Sequence, residues 1–222
     1  MLPEPVCFVV RIWKYGAGSV RFRGSTGKGV PAALLASVLQ GAIRSSTASD
    51  RQRACARINS MLCERTACER FATLFWGVFD PASGRLHYVN AGHAAPMLVR
   101  NSRIERLQKG GPVPGMLPMA VYSAGSVEIE AADTLVLYSD GINEATNQRH
   151  QEFVEKRIEE LVSDAAEAPP AAVCERIMNR VAVFASTEVP QDDRTLMVVR
   201  YPRAGAALPN RNSRQGIVGA AA

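Results

Sequence analysis

Residues 135–144, with the sequence LVLYSDGINE, decide how the rest of the chain is interpreted. The apolar half of this stretch, residues 135–138, predicts a buried β-strand. Ser139, Asp140 and Gly141 follow directly and are typical of a turn. The stretch therefore predicts a carboxylate held at the end of a buried strand, and strand-end loops are where rigid sheets commonly carry chemistry.

A second acidic strand end lies near the other end of the chain. Asp192 and Asp193 come shortly before residues 196–199, which also predict a strand. If the two strand ends meet, their carboxylates provide the oxygen ligands that Mg²⁺ and Mn²⁺ prefer. Spacing alone favours the plainer alternative, in which both acidic stretches are turns or strand ends, because two distant aspartates are not a metal motif.

Composition excludes several classes of protein. With 222 residues, a single domain with a tail is expected. The five cysteines are scattered without CxxC spacing, which predicts reduced thiols in a cytoplasmic protein. No apolar run is long enough to cross a membrane, and the start lacks the basic region of a signal peptide. The net charge of +5 is concentrated near both ends, but no nucleic-acid motif accompanies it, so solvated arms are expected rather than specific nucleic-acid binding.

Hydrophobic periodicity predicts an α+β fold in which hairpins build sheets and helices cover them. Residues 110–119 are rich in Gly and Pro and predict a loop. The tail, residues 202–222, predicts a disordered basic segment. Strands are predicted at 7–12, 71–79, 86–90, 97–99, 104–107, 127–129 and 195–201, and helices at 31–43, 50–62, 151–162 and 171–184.

Two further motifs allow a functional and a structural interpretation. Residues 24–29, GSTGKG, fail the phosphate-loop pattern because Phe22 stands where a glycine is required and Gly29 stands where Ser or Thr is required. A tight turn is favoured there over anion binding at a helix start. His93 could serve as a general acid, but a hydrogen-bonded structural histidine is favoured because no carboxylate or nucleophile neighbours it in sequence.

Taken in order, the motifs resemble those of one family, the SpoIIE/RsbU branch of the PPM-type, metal-dependent serine/threonine phosphatases. The resemblance runs from about Gly24 to Tyr201. The matching stretches are GKGVPAAL at 27–34, RFATLF at 70–75, DPASG at 80–84, YVNAGH at 88–93, LYSDG at 137–141 with Glu144 and Ala145, and DDRT at 192–195.

The resemblance implies a sandwich of two antiparallel β-sheets flanked by α-helices, with the N-terminal strands incomplete. It implies hydrolysis of a phosphoserine or phosphothreonine on a regulatory protein, such as an anti-sigma-factor antagonist, without a phospho-enzyme. Asp140 and Asp192 are implied as ligands of Mn²⁺ or Mg²⁺, and Asp193 as a supporting residue. The catalytic residues stay unassigned, and self-association as a homodimer stays open. The expected organisation is an atypical segment at 1–23, a phosphatase domain at 24–201 and the tail at 202–222.

The chain departs from the family at the residue that bridges the two metals. Family members carry an aspartate before this turn, in a DVSGKG pattern, where this chain has Gly24. Glu4 is the only carboxylate before Asp50, so the segment cannot supply two acidic ligands. Three explanations stay open: a pseudophosphatase that binds partners, a single site of reduced metal occupancy, or an altered start or reading frame within residues 1–23.

Overall fold

The computed structural model describes residues 6–10, 50–66, 71–80, 83–165, 167–186 and 194–201. Several predicted features lie outside these residues. They are the rest of the segment at 1–23, the turn at 24–29 with Gly24, the helix at 31–43, the acidic pair Asp192 and Asp193, and the tail at 202–222.

The described residues form two compact units. The first combines the chain up to His93 with Gln108–Glu128, and the second combines Ala94–Leu107 with the chain from Ile129 onward. The elements, in chain order, are β1 (Val6–Val10), α1 (Arg51–Thr66), β2 (Leu74–Asp80), β3 (Arg85–Ala91), β4 (Met97–Arg100), β5 (Arg103–Arg106), β6 (Gly110–Gly111), β7 (Gly125–Glu128), β8 (Thr134–Tyr138), α2 (Asp140–Asn143), α3 (Glu155–Ser163), α4 (Pro170–Ala185) and β9 (Leu196–Arg200).

The first unit is a sheet with the order β1-β2-β3-β6, in which β7 also pairs with β3. The β1–β2, β2–β3 and β3–β7 pairs are antiparallel, while β6 pairs with β3 in parallel. Helix α1 covers this sheet because Ala54, Ile58 and Leu62 recur at helical spacing and are buried in one cluster with sheet residues. The helix predicted at 50–62 is thereby confirmed.

A buried asparagine ties helix α1 to the loop that follows β6. The side chain of Asn59 is 1% exposed. Its Nδ2 donates to the carbonyl oxygen of Leu117 at 2.8 Å, and its Oδ1 accepts from the backbone N–H of Gly115 at 2.9 Å. These bonds satisfy the backbone of a loop that would otherwise bury polar groups without partners.

The second unit is an antiparallel sheet with the order β5-β4-β8-β9. All five residues of β8 are buried, which explains the uninterrupted apolar run in the sequence. The core contains Val136 and Tyr138 from β8, Ile158 from α3 and Ile177 from α4. Helices α3 and α4 therefore cover this sheet and bury its apolar side chains.

The predicted α+β class with two mostly antiparallel sheets is confirmed. Three local predictions are wrong. The helix predicted at 151–162 begins only at Glu155, because Glu152 forms an isolated β-bridge with Thr146. Gly110 and Gly111, predicted as loop, form β6. Asp140 begins a short helix rather than a simple turn. None of the helices in the described part of the chain is long and apolar enough to cross a membrane.

Candidate functional site

Asp140 lies where strand β8 gives way to the short helix α2. Ser139 is extended, with φ −81° and ψ 159°, and Asp140 is the first residue of the helix. The side chain of Asp140 is half-buried, and its Oδ1 accepts a hydrogen bond of 3.1 Å from the backbone N–H of Gly141. The carbonyl oxygen of Asp140 accepts from the backbone N–H of Glu144 at 2.8 Å. The backbone around the carboxylate is therefore fixed by local hydrogen bonds.

Two hydrogen bonds join the end of β8 to the start of β9. The backbone N–H of Ser139 donates to the carbonyl oxygen of Thr195 at 2.9 Å, and the backbone N–H of Thr195 donates to Oγ of Ser139 at 2.8 Å. Asp192 stands three positions before Thr195 in the sequence. Three residues of chain reach at most about 11 Å, which sets the largest distance between the Cα atoms of Asp192 and Thr195.

A polar network braces the end of β8 against helix α3. The hydroxyl of Tyr138 donates to Oε1 of Glu155 at 3.1 Å. Arg106, on the edge strand β5, pairs with Glu155 and donates from Nη2 to Oε1 of Glu159 at 2.6 Å. One arginine thus holds two glutamates spaced one helical turn apart, and one of these glutamates holds the tyrosine two residues before Asp140.

Burial and charge shift the titration of this network. Burial, followed by the nearby carboxylate of Glu155, raises the pKa of Tyr138 well above its usual value. Burial alone would lower the pKa of Arg106, but the hydrogen bond to Glu159 and the charge of Glu155 raise it above its usual value. Tyr138 is therefore a neutral donor, and Arg106 is a fixed cation, at physiological pH.

No local pattern in the sequence predicts this network. Arg106, Glu155 and Tyr138 are separated by 17 to 49 positions, so no local spacing connects them. The one available signal was the pair of glutamates at 155 and 159, four residues apart at the start of an amphipathic helix.

The far end of α2 is also tied to the chain that enters α3. The backbone N–H of Val154 donates to the carbonyl oxygen of Asn143 at 2.8 Å, and that of Phe153 donates to the carbonyl oxygen of Ala145 at 2.8 Å. Val154 has a φ of 57°, which is strained for a β-branched residue. The position of α2 is therefore held on both sides of Asp140.

His93 is buried in a turn of the first unit. Its backbone N–H donates to Oδ1 of Asn90 at 2.8 Å, and Nδ2 of Asn90 donates to the carbonyl oxygen of His93 at 3.0 Å. Asn90 is itself 5% exposed. These bonds hold the backbone of His93 and involve no atom of its imidazole, so the structural role of this histidine stays a prediction.

A divalent cation in a protein requires several oxygen or nitrogen ligands close together. No group of three or more His, Cys, Asp or Glu side chains that could hold a metal ion occurs within the described ranges. Asp140 is a suitable carboxylate ligand, but Asp192, Asp193 and Gly24 lie outside the described part of the chain. Arg194, which follows Asp193, is half-buried, and burial lowers its pKa.

Comparison with known proteins identifies the family. Residues 25–202 match the family model described as stage II sporulation protein E (SpoIIE). The chain is 35% identical over 94 residues to Protein IcfG of Synechocystis, covering 42% of this chain and 15% of that protein. It is 24% identical over 181 residues to phosphoserine phosphatase RsbU of Bacillus subtilis, covering 78% of this chain and 52% of that protein. The chain thus spans about half, or less, of the length of these relatives.

Solved structures show the same fold. The SiaA-PP2C domain of Pseudomonas aeruginosa matches with a TM-score of 0.66 at 17% identity, covering 88% of this chain and 85% of that chain. The PP2C phosphatase domain of SpoIIE from Bacillus subtilis, with a fragment of its regulatory domain, matches with a TM-score of 0.61 at 24% identity. That match covers 75% of this chain and 49% of that chain.

Proposed function

Because the chain belongs to the SpoIIE family, the SpoIIE/RsbU type of PPM phosphatase domain in bacterial signalling, we propose that it hydrolyses phosphoserine or phosphothreonine on a regulatory protein. The proposed substrate class is a phosphorylated anti-sigma-factor antagonist. The reaction is proposed to take place in the cytoplasm, in keeping with cysteines that are scattered without CxxC spacing.

The position of Asp140 carries this proposal. Its carboxylate stands at the end of a fully buried strand, and the hydrogen bonds between Ser139 and Thr195 hold Thr195, the last residue of the DDRT motif, beside that strand end. Asp140 and Asp192 are therefore proposed as ligands of one divalent cation, Mn²⁺ or Mg²⁺, with Asp193 in support. Such a cation would neutralise charge on the phosphoryl oxygens during hydrolysis.

Gly24 limits this proposal to a weakly occupied site. A glycine offers only a neutral backbone carbonyl where the family has a bridging carboxylate, and hard divalent cations prefer charged oxygen ligands. We therefore expect one ion with reduced occupancy, rather than the pair that the family uses.

The direct test is Mn²⁺-dependent hydrolysis of p-nitrophenyl phosphate and of a phosphoserine peptide. Asp140→Asn removes the ligand charge and is expected to abolish turnover. Glu64→Gln, an exposed carboxylate on α1, removes the same charge and should leave turnover unchanged. Absence of turnover at every Mn²⁺ concentration would rule out the proposed reaction.

The second candidate function is a pseudophosphatase that acts as a protein-binding module. The specific observation in its favour is the acid-poor N-terminal segment with Gly24 in place of the bridging aspartate. Calorimetric titration with Mn²⁺ separates the two functions. A stoichiometry of one bound ion would support the phosphatase, and a stoichiometry of zero would support the binding module. The binding module is also expected to retain protein partners in a pull-down with a chelator present.

A further inference from the structure

Helices α3 and α4 enclose a groove of about 360 Å³ that contains none of the candidate metal ligands. We call it the arginine groove. Its lining residues are Phe153, Arg157, Glu160, Leu161, Asp164, Arg176 and Arg180. The floor is apolar, because Phe153 is 2% and Leu161 9% exposed, whereas the charged residues of the walls are exposed.

Aromatic rings, rather than a carboxylate, hold Arg157 in the groove. Its guanidinium carbon lies 4.6 Å from the ring centroid of Phe184 and 5.9 Å from that of Phe153. The two rings pack edge to face at 5.3 Å. Cation–π contacts of this kind orient a guanidinium while leaving its N–H donors open to an anion.

The three arginines of the groove differ in their ion pairs. Arg176 pairs with Asp164 at 3.4 Å. No ion pair joins Arg157 or Arg180 to a carboxylate in the described part of the chain. Glu160 is the remaining acid, so the unpaired charge of the groove is +1. Guanidinium groups bind carboxylates through paired hydrogen bonds, and this makes them suited to acidic side chains.

The groove also favours an apolar contact next to the charged one. Val183 is 74% exposed and stands three positions after Arg180 on α4, so the two share a helix face. A ligand held by Arg180 would therefore have this exposed valine within reach on the same helix face.

We propose that the arginine groove is a docking site for an acidic segment of a protein partner. Its occupant presents two Asp or Glu side chains to Arg157 and Arg180, and an apolar side chain to the floor formed by Phe153 and Leu161. Docking needs neither phosphate nor a metal ion. It therefore adds to the proposed phosphatase reaction and does not depend on it.

The test uses the full chain and a fluorescein-labelled, unphosphorylated peptide with four glutamates around a central leucine, measured by fluorescence anisotropy in the presence of a chelator. Saturable binding that weakens as salt is added is expected. Arg180→Gln should weaken binding about ten-fold through the loss of one charge-assisted contact. Glu160→Gln should strengthen binding about two-fold, because it removes the remaining repulsive charge.

Matched controls decide whether the groove is specific. Arg57→Gln removes an exposed arginine from α1 and changes the net charge equally, so it should leave binding unchanged. The same peptide with glutamine in place of glutamate should not bind. Equal weakening by Arg57→Gln and Arg180→Gln, tighter binding of DNA or phosphatidylserine vesicles than of the peptide, or no saturable binding would overturn the proposal. Because the assay contains chelator, its outcome is independent of whether phosphatase turnover is found.

Discussion

The hydroxyl of Tyr138 offers the most direct test of how the end of β8 is held. Tyr138→Phe removes the hydrogen bond of 3.1 Å to Glu155 and keeps the ring, which is 0% exposed. Since the ring stays, no cavity forms, and the loss is that of one hydrogen bond to a charged acceptor, about 1.5–3 kcal/mol when it is buried. The side chain of Glu155 is 37% exposed, so water can replace part of this bond. We therefore expect the free energy of unfolding to fall by about 1 kcal/mol.

The measurement is urea denaturation of the wild type, Tyr138→Phe, Glu155→Gln and the double variant. If the hydroxyl acts through Glu155, the stability losses of the two single variants should not add up to that of the double variant. The double-mutant cycle should then give a coupling free energy of about 1 kcal/mol. Tyr138→Ala is the contrasting variant, because it empties a buried site and should cost about 3–5 kcal/mol. Additive single effects, or a Tyr138→Phe variant as stable as the wild type, would refute the assignment of this brace.

Two further predictions concern the first unit. Gly110→Ala would place a Cβ 1.7 Å from the backbone oxygen of Asn90, so β6 must separate from β3. The free energy of unfolding, measured by urea denaturation, should therefore fall by at least about 3 kcal/mol. Near-wild-type stability would contradict the close β3–β6 pairing. Burial raises the pKa of the Cys55 thiol from 9.0 to about 12, so the unfolded chain releases this proton first as pH rises. The contribution of this thiol to the free energy of unfolding is complete below pH 9 and declines toward pH 12, by at most about 1.4 kcal/mol per pH unit. In denaturation curves recorded across this pH range, Cys55→Ala should show a smaller decline than the wild type. Equal declines in the two proteins would refute the prediction.

The sequence correctly predicted the helices and strands that are set by the spacing of their own apolar residues. Helix α1 was predicted because Ala54, Ile58 and Leu62 repeat at helical spacing, and β8 because a continuous apolar run fits a strand buried on both faces. Strand β6 was missed because Gly110 and Gly111 carry no strand signal, and their pairing partner in β3 lies about twenty positions earlier. The start of α3 was misplaced because the β-bridge of Glu152 and the backbone strain at Val154 come from the tertiary fold.

At the candidate site, too, the sequence predicted the local feature and missed the long-range contacts. The place of Asp140 at a strand end follows from the sequence LYSDG, whereas its supports do not. The link from Ser139 to Thr195 spans 56 positions, and the brace from Arg106 to Glu155 spans 49. Contacts at such separations depend on strand order, which residue spacing does not encode.

The hydrogen bonds around Asp140 indicate how Gly24 should affect metal binding. The brace by Arg106 and Glu155 and the link to Thr195 consist of residues from the second unit, and none of these hydrogen bonds involves a proposed metal ligand. Because these bonds hold the chain on the N-terminal side of Asp140, binding of a cation would have to order little more than the Asp140 side chain. The missing bridging carboxylate should therefore reduce the number of bound ions rather than displace Asp140. A Mn²⁺ titration that gives one ion in the wild type and none in Asp140→Asn would bear this out. One ion in both variants would place the metal elsewhere in the chain.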